Sequence, residues 1–230
     1  AHELRNSLGV LTNAVAYLEL AIPMDDQTIK KNFNHMKENV ARANKVISDL
    51  LDFARDTRAA KSVFSISAVM DGALKDQKIP GGIKVEKRCP EGSYPVFADR
   101  DQVYHIIFNL LKNAVEAMTA PDGKSEEGKL ILNCRRDNEG KVILSISDTG
   151  IGIPPEDKEK IFEPLFTGKS SGIGLGLSIS QRYAELNGGS LKVDSEAGVG
   201  STFILTLPGG DNTGERTQIH TGESTQIHTD

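Results

Sequence analysis

The chain has 230 residues, of which 38% are hydrophobic and 26% are charged, and its formal net charge is −5. This length and balance indicate a globular protein of one or two domains, and the negative charge argues against a general nucleic-acid binder. No apolar run approaches the roughly 20 residues that a membrane-spanning helix needs. Cys89 and Cys134 lack CxxC spacing and a neighbouring histidine, so we expect reduced thiols rather than a metal site.

Two apolar stripes predict a helical hairpin over residues 1–58. In the first stripe, apolar residues recur at steps of three and four: Leu4, Leu8, Leu11, Val15 and Leu18. After an interruption at Pro23, the stepping resumes with Ile29, Phe33, Met36, Val40, Ala43, Ile47 and Leu50. Pairing two hairpins into a four-helix bundle would bury both stripes, so we expect a homodimer.

His2, Glu3 and Asn6 open the first helix away from its stripe. At about 100° per residue, His2 lies roughly opposite Leu4, and Asn6 shares the face of His2 one turn later. This pattern excludes a histidine buried in a core. It leaves two interpretations, an exposed histidine without a function or a nucleophile with polar helpers.

After a polar linker at 55–62, the pattern changes to mixed α/β and continues to residue 208. We expect helices over 67–77 (with Ser67 as N-cap), 99–118 and 175–186, and strands over 83–88, 130–136, 142–147, 191–194 and 202–207. Helices on one side of a mixed sheet are the simplest packing of these elements. Residues 209–230 contain the polar repeat "TGERTQIH" and "TGESTQIH", which cannot build a core and predicts a flexible tail.

A first glycine cluster follows the strand that Asp148 closes. Gly150 and Gly152 come directly after this carboxylate, and glycine lets a backbone turn tightly and approach a flat ligand. A carboxylate beside bare backbone accepts a hydrogen bond from an exocyclic amine such as that of adenine. The cluster therefore indicates a base-binding site, although a single GxG is weak evidence.

A second glycine cluster, made of Gly172, Gly174 and Gly176, opens the last helix. Free N–H groups at a helix N-terminus suit a phosphate group. Phe162 and Phe166 are apolar anchors in the segment between the two clusters. We expect this segment to be a mobile lid over a nucleotide.

The helix over 99–118 carries Asn109 and Asn113 four residues apart, on a face separate from its apolar one. Amide oxygens are ligands that suit Mg²⁺ beside phosphates, and Lys112 adds a positive charge. Taken alone, two surface amides are the simpler interpretation. The chain has neither a GxxxxGK[ST] loop nor a Rossmann glycine pattern.

Five motifs occur in a specific order: "HELRNSL", "NLLKNAVEA", "DTGIGI", "FEPLF" and "GIGLGL". They resemble the H, N, G1, F and G2 boxes of sensor histidine kinases, and the resemblance covers residues 1 to 208. It implies an α+β protein in which a dimerisation and phosphotransfer hairpin (1–58) precedes an ATP-binding α/β sandwich (59–208) of the gyrase type.

The resemblance also implies roles for single residues. His2 would be the phosphoacceptor, with Glu3 holding its other ring nitrogen, and Asn113 would bind Mg²⁺. Asp148 would accept the adenine amine. The remaining nucleotide contacts would come from Asn109, Lys112, Gly150, Gly152, Gly172, Gly174, Leu175, Gly176, Leu177 and Thr202.

Asn6 and Ser7 stand where the family commonly has Thr and Pro. An Asn there resembles the nitrogen-regulation branch, which implies phosphatase activity toward a response regulator, with Asn6 positioning water. Because the chain begins one residue before the histidine, we expect a fragment of a longer protein. We expect this fragment to lie in the cytoplasm, whether or not the parent protein is anchored in a membrane. The expected partners are a second copy and a receiver domain. A non-catalytic scaffold and a plain ATPase with an incidental His2 are the alternatives.

Overall fold

The computed structural model describes the chain in six stretches: residues 2–22, 26–54, 59–90, 92–119, 127–168 and 174–210. The side chains of residues 2–8, 42, 45–46 and 48–54 lie outside this description. Within the described stretches, no helix is both long enough and apolar enough to cross a bilayer.

Two helices form the N-terminal part, as the apolar stripes predict. Helix α1 covers His2–Ala21 and helix α2 covers Gln27–Ala54. Asp26 caps α2, because its Oδ1 accepts hydrogen bonds from the backbone N–H groups of Thr28 at 2.6 Å and Ile29 at 3.3 Å.

The contact between these helices buries only part of the predicted stripes. Val15 and Phe33 are 8% and 6% exposed, whereas other apolar side chains stay open to solvent: Val10, Leu11, Tyr17, Leu18, Leu20 and Ile29. An ion pair between Lys37 and Glu19, at 2.7 Å, joins the helices at the edge of the contact. The single hairpin therefore leaves an apolar surface uncovered.

A mixed sheet with helices on one face forms the rest of the described chain. In order, its elements are β1 (Ser62–Ser65), α3 (Ile66–Asp76), β2 (Ile83–Arg88), β3 (Pro95–Ala98), α4 (Arg100–Ala117), β4 (Gly128–Arg136), β5 (Val142–Asp148), two 3₁₀ turns (Pro155–Asp157 and Lys160–Phe162), α5 (Gly176–Leu186), β6 (Ser190–Glu196) and β7 (Gly200–Leu207). Five strands lie in the order β2–β4–β5–β7–β6, with β2 parallel to β4 and the other neighbours antiparallel. The predicted mixed sheet is confirmed.

One hydrophobic core joins this sheet to helices α3, α4 and α5. Helix α4 supplies its centre with four side chains that have no exposed surface: Ile106, Ile107, Leu110 and Leu111. Asp99 caps α4 by accepting hydrogen bonds from the N–H groups of Asp101 and Gln102. Because α4 is fixed by its buried face and its cap, the polar side chains on its other faces have defined positions.

Strand alternation decides which residues of the sheet face the helices. In β5, Leu144, Ile146 and Asp148 are buried on the helical side, while the residues between them are only half-buried. The register with β7 places Asp148 opposite Ser201. It places Ser147 opposite Thr202, on the other face.

Three details differ from the sequence-based expectations. Helix α3 begins at Ile66, with Ser65 rather than Ser67 at the N-cap position. Strands β1 and β3 were not predicted, and they pair antiparallel as a separate two-stranded sheet. The packed body also reaches past residue 208, because Gly209 bridges Val96 and the Gly210 N–H donates to the Pro95 carbonyl at 2.8 Å.

The expectation of reduced thiols is wrong for this fold, because Cys89 and Cys134 form a disulfide. The register of the parallel strands β2 and β4 ends with Arg88 opposite Asn133, so the next residues are the two cysteines. Their Cα atoms are 5.1 Å apart, within the range that a disulfide spans. Because the two cysteines are 45 residues apart in sequence, their spacing does not indicate that they are neighbours in the fold.

Candidate active site

The start of α5 lies directly against Asn109 of α4. The Asn109 Nδ2 donates to Ser180 Oγ at 3.1 Å, and Ser180 Oγ donates to the Gly176 carbonyl at 2.8 Å. A Cβ on residue 176 would lie 2.5 Å from Asn109 Oδ1, so a larger residue there would displace the Asn109 side chain. The structure thus brings one predicted Asn and the second glycine cluster together.

Asn113, one turn after Asn109, has different surroundings. Its half-buried side chain makes no hydrogen bond within the part of the chain that the structure describes. Beside it, Lys112 Nζ lies 3.5 Å from Glu116 Oε1 in a half-exposed ion pair. The two predicted amides therefore have different surroundings, since Asn109 bonds to α5 and Asn113 bonds to none of the described residues.

Asp148 closes β5 with its side chain 7% exposed. Its Oδ1 accepts a hydrogen bond from the Gly150 N–H at 2.9 Å. The loop that follows rests on the end of α4, because the Ile151 N–H donates to the Ala117 carbonyl at 3.1 Å. A Cβ on Gly150 would lie 2.6 Å from that same carbonyl oxygen. The carboxylate is therefore fixed in place by the first glycine cluster.

Gly152 fits this loop against the turn between β6 and β7. Its φ is +67°, and a Cβ there would lie 2.0 Å from the Glu196 carbonyl oxygen. The Gly198 N–H donates to the Ile151 carbonyl at 2.7 Å. Packing alone therefore explains the first glycine cluster, and the same packing holds bare backbone beside Asp148.

Thr202 lies away from this carboxylate, on the open face of the sheet. Its Oγ1 donates to Ser147 Oγ at 2.9 Å. Ser201, buried at 6% exposure, is the residue that faces the helical side opposite Asp148. The sequence analysis missed Ser201, because strand alternation gives its face only once the register of β7 against β5 is known.

The segment between the glycine clusters is described as far as residue 168, and again from Gly174. Its two 3₁₀ turns place Phe162 against the core, and the Leu165 N–H donates to the Gly174 carbonyl at 2.9 Å. Leu175 is buried at the N-cap of α5, and Leu177 packs against the core. Gly172 lies outside the described residues, and the mobility of the lid stays a prediction.

His2, Glu3 and Asn6 lie in the first two turns of α1. The structure describes their backbone and not their side chains. The helical backbone places His2 and Asn6 one turn apart, as the sequence predicts.

One protein family matches the second half of the chain, over residues 98–211, and it is described as histidine kinase-, DNA gyrase B-, and HSP90-like ATPase. This range contains Asn109, Asn113, Asp148 and both glycine clusters.

Individual proteins match along most of the chain. The signal transduction histidine-protein kinase AtoS of Escherichia coli (strain K12) is 31% identical over 211 residues, which are 90% of this chain and 33% of AtoS. This chain therefore spans about a third of the length of that curated relative.

Solved structures of histidine kinases share the fold. Full-length ShkA in complex with AMPPNP superposes with a TM-score of 0.74 at 23% identity, covering 90% of this chain and 44% of ShkA. ThkA in complex with the response regulator protein TrrA gives a TM-score of 0.64 at 27% identity, over 90% of this chain and 59% of ThkA. The catalytic domain of ThkA is 32% identical, with a TM-score of 0.55 over 64% of this chain and 95% of that domain.

Proposed function

Because this chain belongs to the sensor histidine kinase family, we propose that it is a kinase core that phosphorylates its own His2 from ATP. The phosphoryl group then passes to an aspartate of a response regulator. The observation that carries this proposal is the convergence of Asn109, the α5 N-terminus and Asp148 around α4. The ThkA–TrrA complex supports a response regulator as the partner.

We propose that residues 1–58 dimerise and carry the phosphoacceptor and that 59–208 bind ATP. Because Gly209 and Gly210 pack on the body, the proposed tail begins after Gly210. The uncovered apolar side chains of the hairpin, Tyr17 and Leu20 among them, support a homodimer in which two hairpins form a four-helix bundle. A cytoplasmic location is part of the same proposal, since ATP and response regulators are available there.

The nucleotide would lie along α4, with its base at Asp148 and its phosphates near the start of α5. Asp148 accepts a hydrogen bond from the adenine amine. Ser201, which lies opposite Asp148 in the sheet, is the second residue beside the adenine, in place of the Thr202 that the motif resemblance implied. Lys112 contributes positive charge to the phosphates. The backbone from Gly174 to Leu177 forms the α5 N-terminus, whose N–H groups suit an anion.

The residues around Asn113 fit a magnesium ion that arrives with ATP. The described stretches contain no cluster of three His, Cys, Asp or Glu side chains that could hold a metal. Asn113 offers one amide oxygen that has no hydrogen-bond partner among the described residues, which suits an ion that takes its other ligands from phosphate and water. When bound, Mg²⁺ would neutralise charge on the phosphates.

In the proposed reaction, a ring nitrogen of neutral His2 attacks the γ-phosphorus. The new N–P bond forms as the bond to the β,γ-bridging oxygen breaks, and ADP leaves. The attack requires the neutral imidazole, because only the neutral ring has a free lone pair on a nitrogen. Glu3 would keep the proton on the other ring nitrogen and offset the positive charge that develops there.

A second activity, removal of phosphate from the response regulator, is proposed for Asn6. This residue lies one turn after His2 on α1, and we assign to it the orientation of a water molecule when a phosphorylated receiver domain docks. Asn6 is thus assigned to dephosphorylation and Glu3 to phosphorylation.

Radiolabelled ATP and a purified response regulator test this division of labour. His2→Gln should abolish acid-labile label on the protein, because Gln has no nucleophilic ring nitrogen. Glu3→Ala should slow labelling by about 10²–10⁴-fold, the usual contribution of acid–base assistance. Asn6→Ala should keep labelling and lose regulator dephosphorylation.

The exposed His35 on α2 provides the matched control, and His35→Gln should retain both activities. Release of free phosphate without any label on the protein would contradict the kinase proposal and indicate a plain ATPase. Equal damage to both reactions in Glu3→Ala and Asn6→Ala would contradict the division between these two residues.

A further inference from the structure

We propose that Ser195 is a positioning residue that turns the Ser201 hydroxyl into a hydrogen-bond acceptor beside Asp148. The resulting pair of acceptors selects a purine that carries an amine at position 6 over one that carries a carbonyl there. This inference rests on the ATP binding of the proposed function and adds the source of its base selectivity.

Ser195 is buried on β6 and makes three hydrogen bonds. It accepts from the Ile153 N–H at 2.9 Å, donates to the Gly200 carbonyl at 2.8 Å, and lies 2.9 Å from Ser201 Oγ. Ile153 belongs to the loop of the first glycine cluster, and Gly200 begins β7. One hydroxyl therefore ties that loop to the strand that faces Asp148.

The direction of each bond follows from counting protons. A carbonyl oxygen only accepts, so the single hydroxyl proton of Ser195 goes to Gly200. Ser195 has no proton left for Ser201, and the bond between the two hydroxyls must be donated by Ser201. Within the described residues this is the only hydrogen bond of the Ser201 hydroxyl, so its remaining capacity is that of an acceptor.

The sheet register puts these groups in one row. Antiparallel pairing sets Asp148 opposite Ser201 and Ser201 opposite Ser195, and directly opposite side chains lie on the same face about 4.5–5.5 Å apart at Cβ. The Ser201 proton points toward β6, so its lone pairs are left toward the β5 side, where Asp148 lies. All three side chains are buried, at 6–7% exposure.

Two neighbouring acceptors match the two protons of an exocyclic amine, directly or through one water molecule. A carbonyl at the same position of the purine would meet only lone pairs, and a buried group that loses its partner is penalised strongly. Removing the Ser195 hydroxyl would free the Ser201 proton to rotate toward the ligand. That rotation would make the site tolerant of a carbonyl.

The test compares the affinities of ATP and ITP, which differ at position 6 of the purine. Wild-type protein should bind ATP more tightly than ITP. Ser195→Ala should lower the ratio of the two affinities by about three- to tenfold, the range of one hydrogen bond. Ser67→Ala is the matched control, because it removes another buried serine hydroxyl from the same core and should leave the ratio unchanged.

The double variant distinguishes orientation of Ser201 from movement of the loop. In a Ser201→Ala background, Ser195→Ala should no longer change the ratio, because the hydroxyl that rotates is absent. An equal change in both backgrounds, or none in Ser195→Ala, would overturn the inference. If Ser195→Ala fails to fold, the Ser201→Ala variant provides the test. An unchanged ratio of ATP to ITP affinity in Ser201→Ala would contradict the proposed pair of acceptors. Wild-type protein that binds neither nucleotide would instead overturn the proposed function.

Discussion

Asn109 and Asn113 have the same side chain and the same helix face in sequence, yet the fold separates their roles. Asn109 is held by Ser180 at the start of α5, whereas Asn113 has no partner within the described residues. Spacing alone could predict that both amides share a face. It could not predict which of them α5 would occupy, because that depends on the close approach at Gly176.

This difference predicts opposite phenotypes for two alanine variants. Asn109→Ala should lower the free energy of unfolding by about 1 kcal/mol, because the Ser180 hydroxyl loses its amide partner. Asn113→Ala should change stability by less than about 0.5 kcal/mol and should remove Mg²⁺-dependent labelling of His2. Urea unfolding together with labelling across a magnesium titration measures both effects. Equal stability loss in the two variants would contradict the assignment.

Thr202 and Ser201 illustrate the same limit at single-residue scale. Motif matching selected Thr202, but neighbouring residues of a strand face opposite sides, and the register with β5 gives the helical side to Ser201. The alternation was visible in the sequence, whereas the register was not. A one-residue error in register exchanges the two faces of a strand completely.

At the scale of elements, periodicity predicted the long helices and the strands of the five-stranded sheet. It failed for β1 and β3, which have four residues each and are too short to display alternation. It also failed for the pairing of β2 with β4, since parallel neighbours are brought together by a long crossover. The Cys89–Cys134 disulfide depends on that pairing and was therefore missed.

The disulfide should contribute measurably to the stability of this part of the protein. In the chain-entropy model, a disulfide across a sequence separation of 45 residues raises the free energy of unfolding by about 4 kcal/mol. Prolonged incubation with a thiol reductant should therefore lower the melting temperature. The double variant Cys89→Ser/Cys134→Ser should melt at one temperature with or without reductant. If reductant leaves the wild-type melting temperature unchanged, the prediction is contradicted. That result would agree with the reduced thiols that are usual in the cytoplasm.

At the scale of the whole molecule, the two parts differ in how completely they bury their apolar residues. The sheet and its helices close around one core, with many side chains fully buried. The hairpin buries Val15 and Phe33 but leaves Leu20 89% exposed. Its stripes were predictable from seven-residue stepping, whereas the surface that covers them belongs to another molecule in the proposed dimer.

A charged substitution on this uncovered surface should dissociate the proposed dimer. Leu11 is 51% exposed in the single chain, so Leu11→Glu costs little within one hairpin and buries an unpaired charge in a four-helix bundle. Light scattering should give twice the 24.9 kDa chain mass for wild-type protein and the chain mass for this variant. Asn34→Glu, an exposed polar position on α2, is the control that should remain dimeric. A monomeric wild-type protein, or a Leu11→Glu variant that stays dimeric, would contradict a bundle built on these stripes.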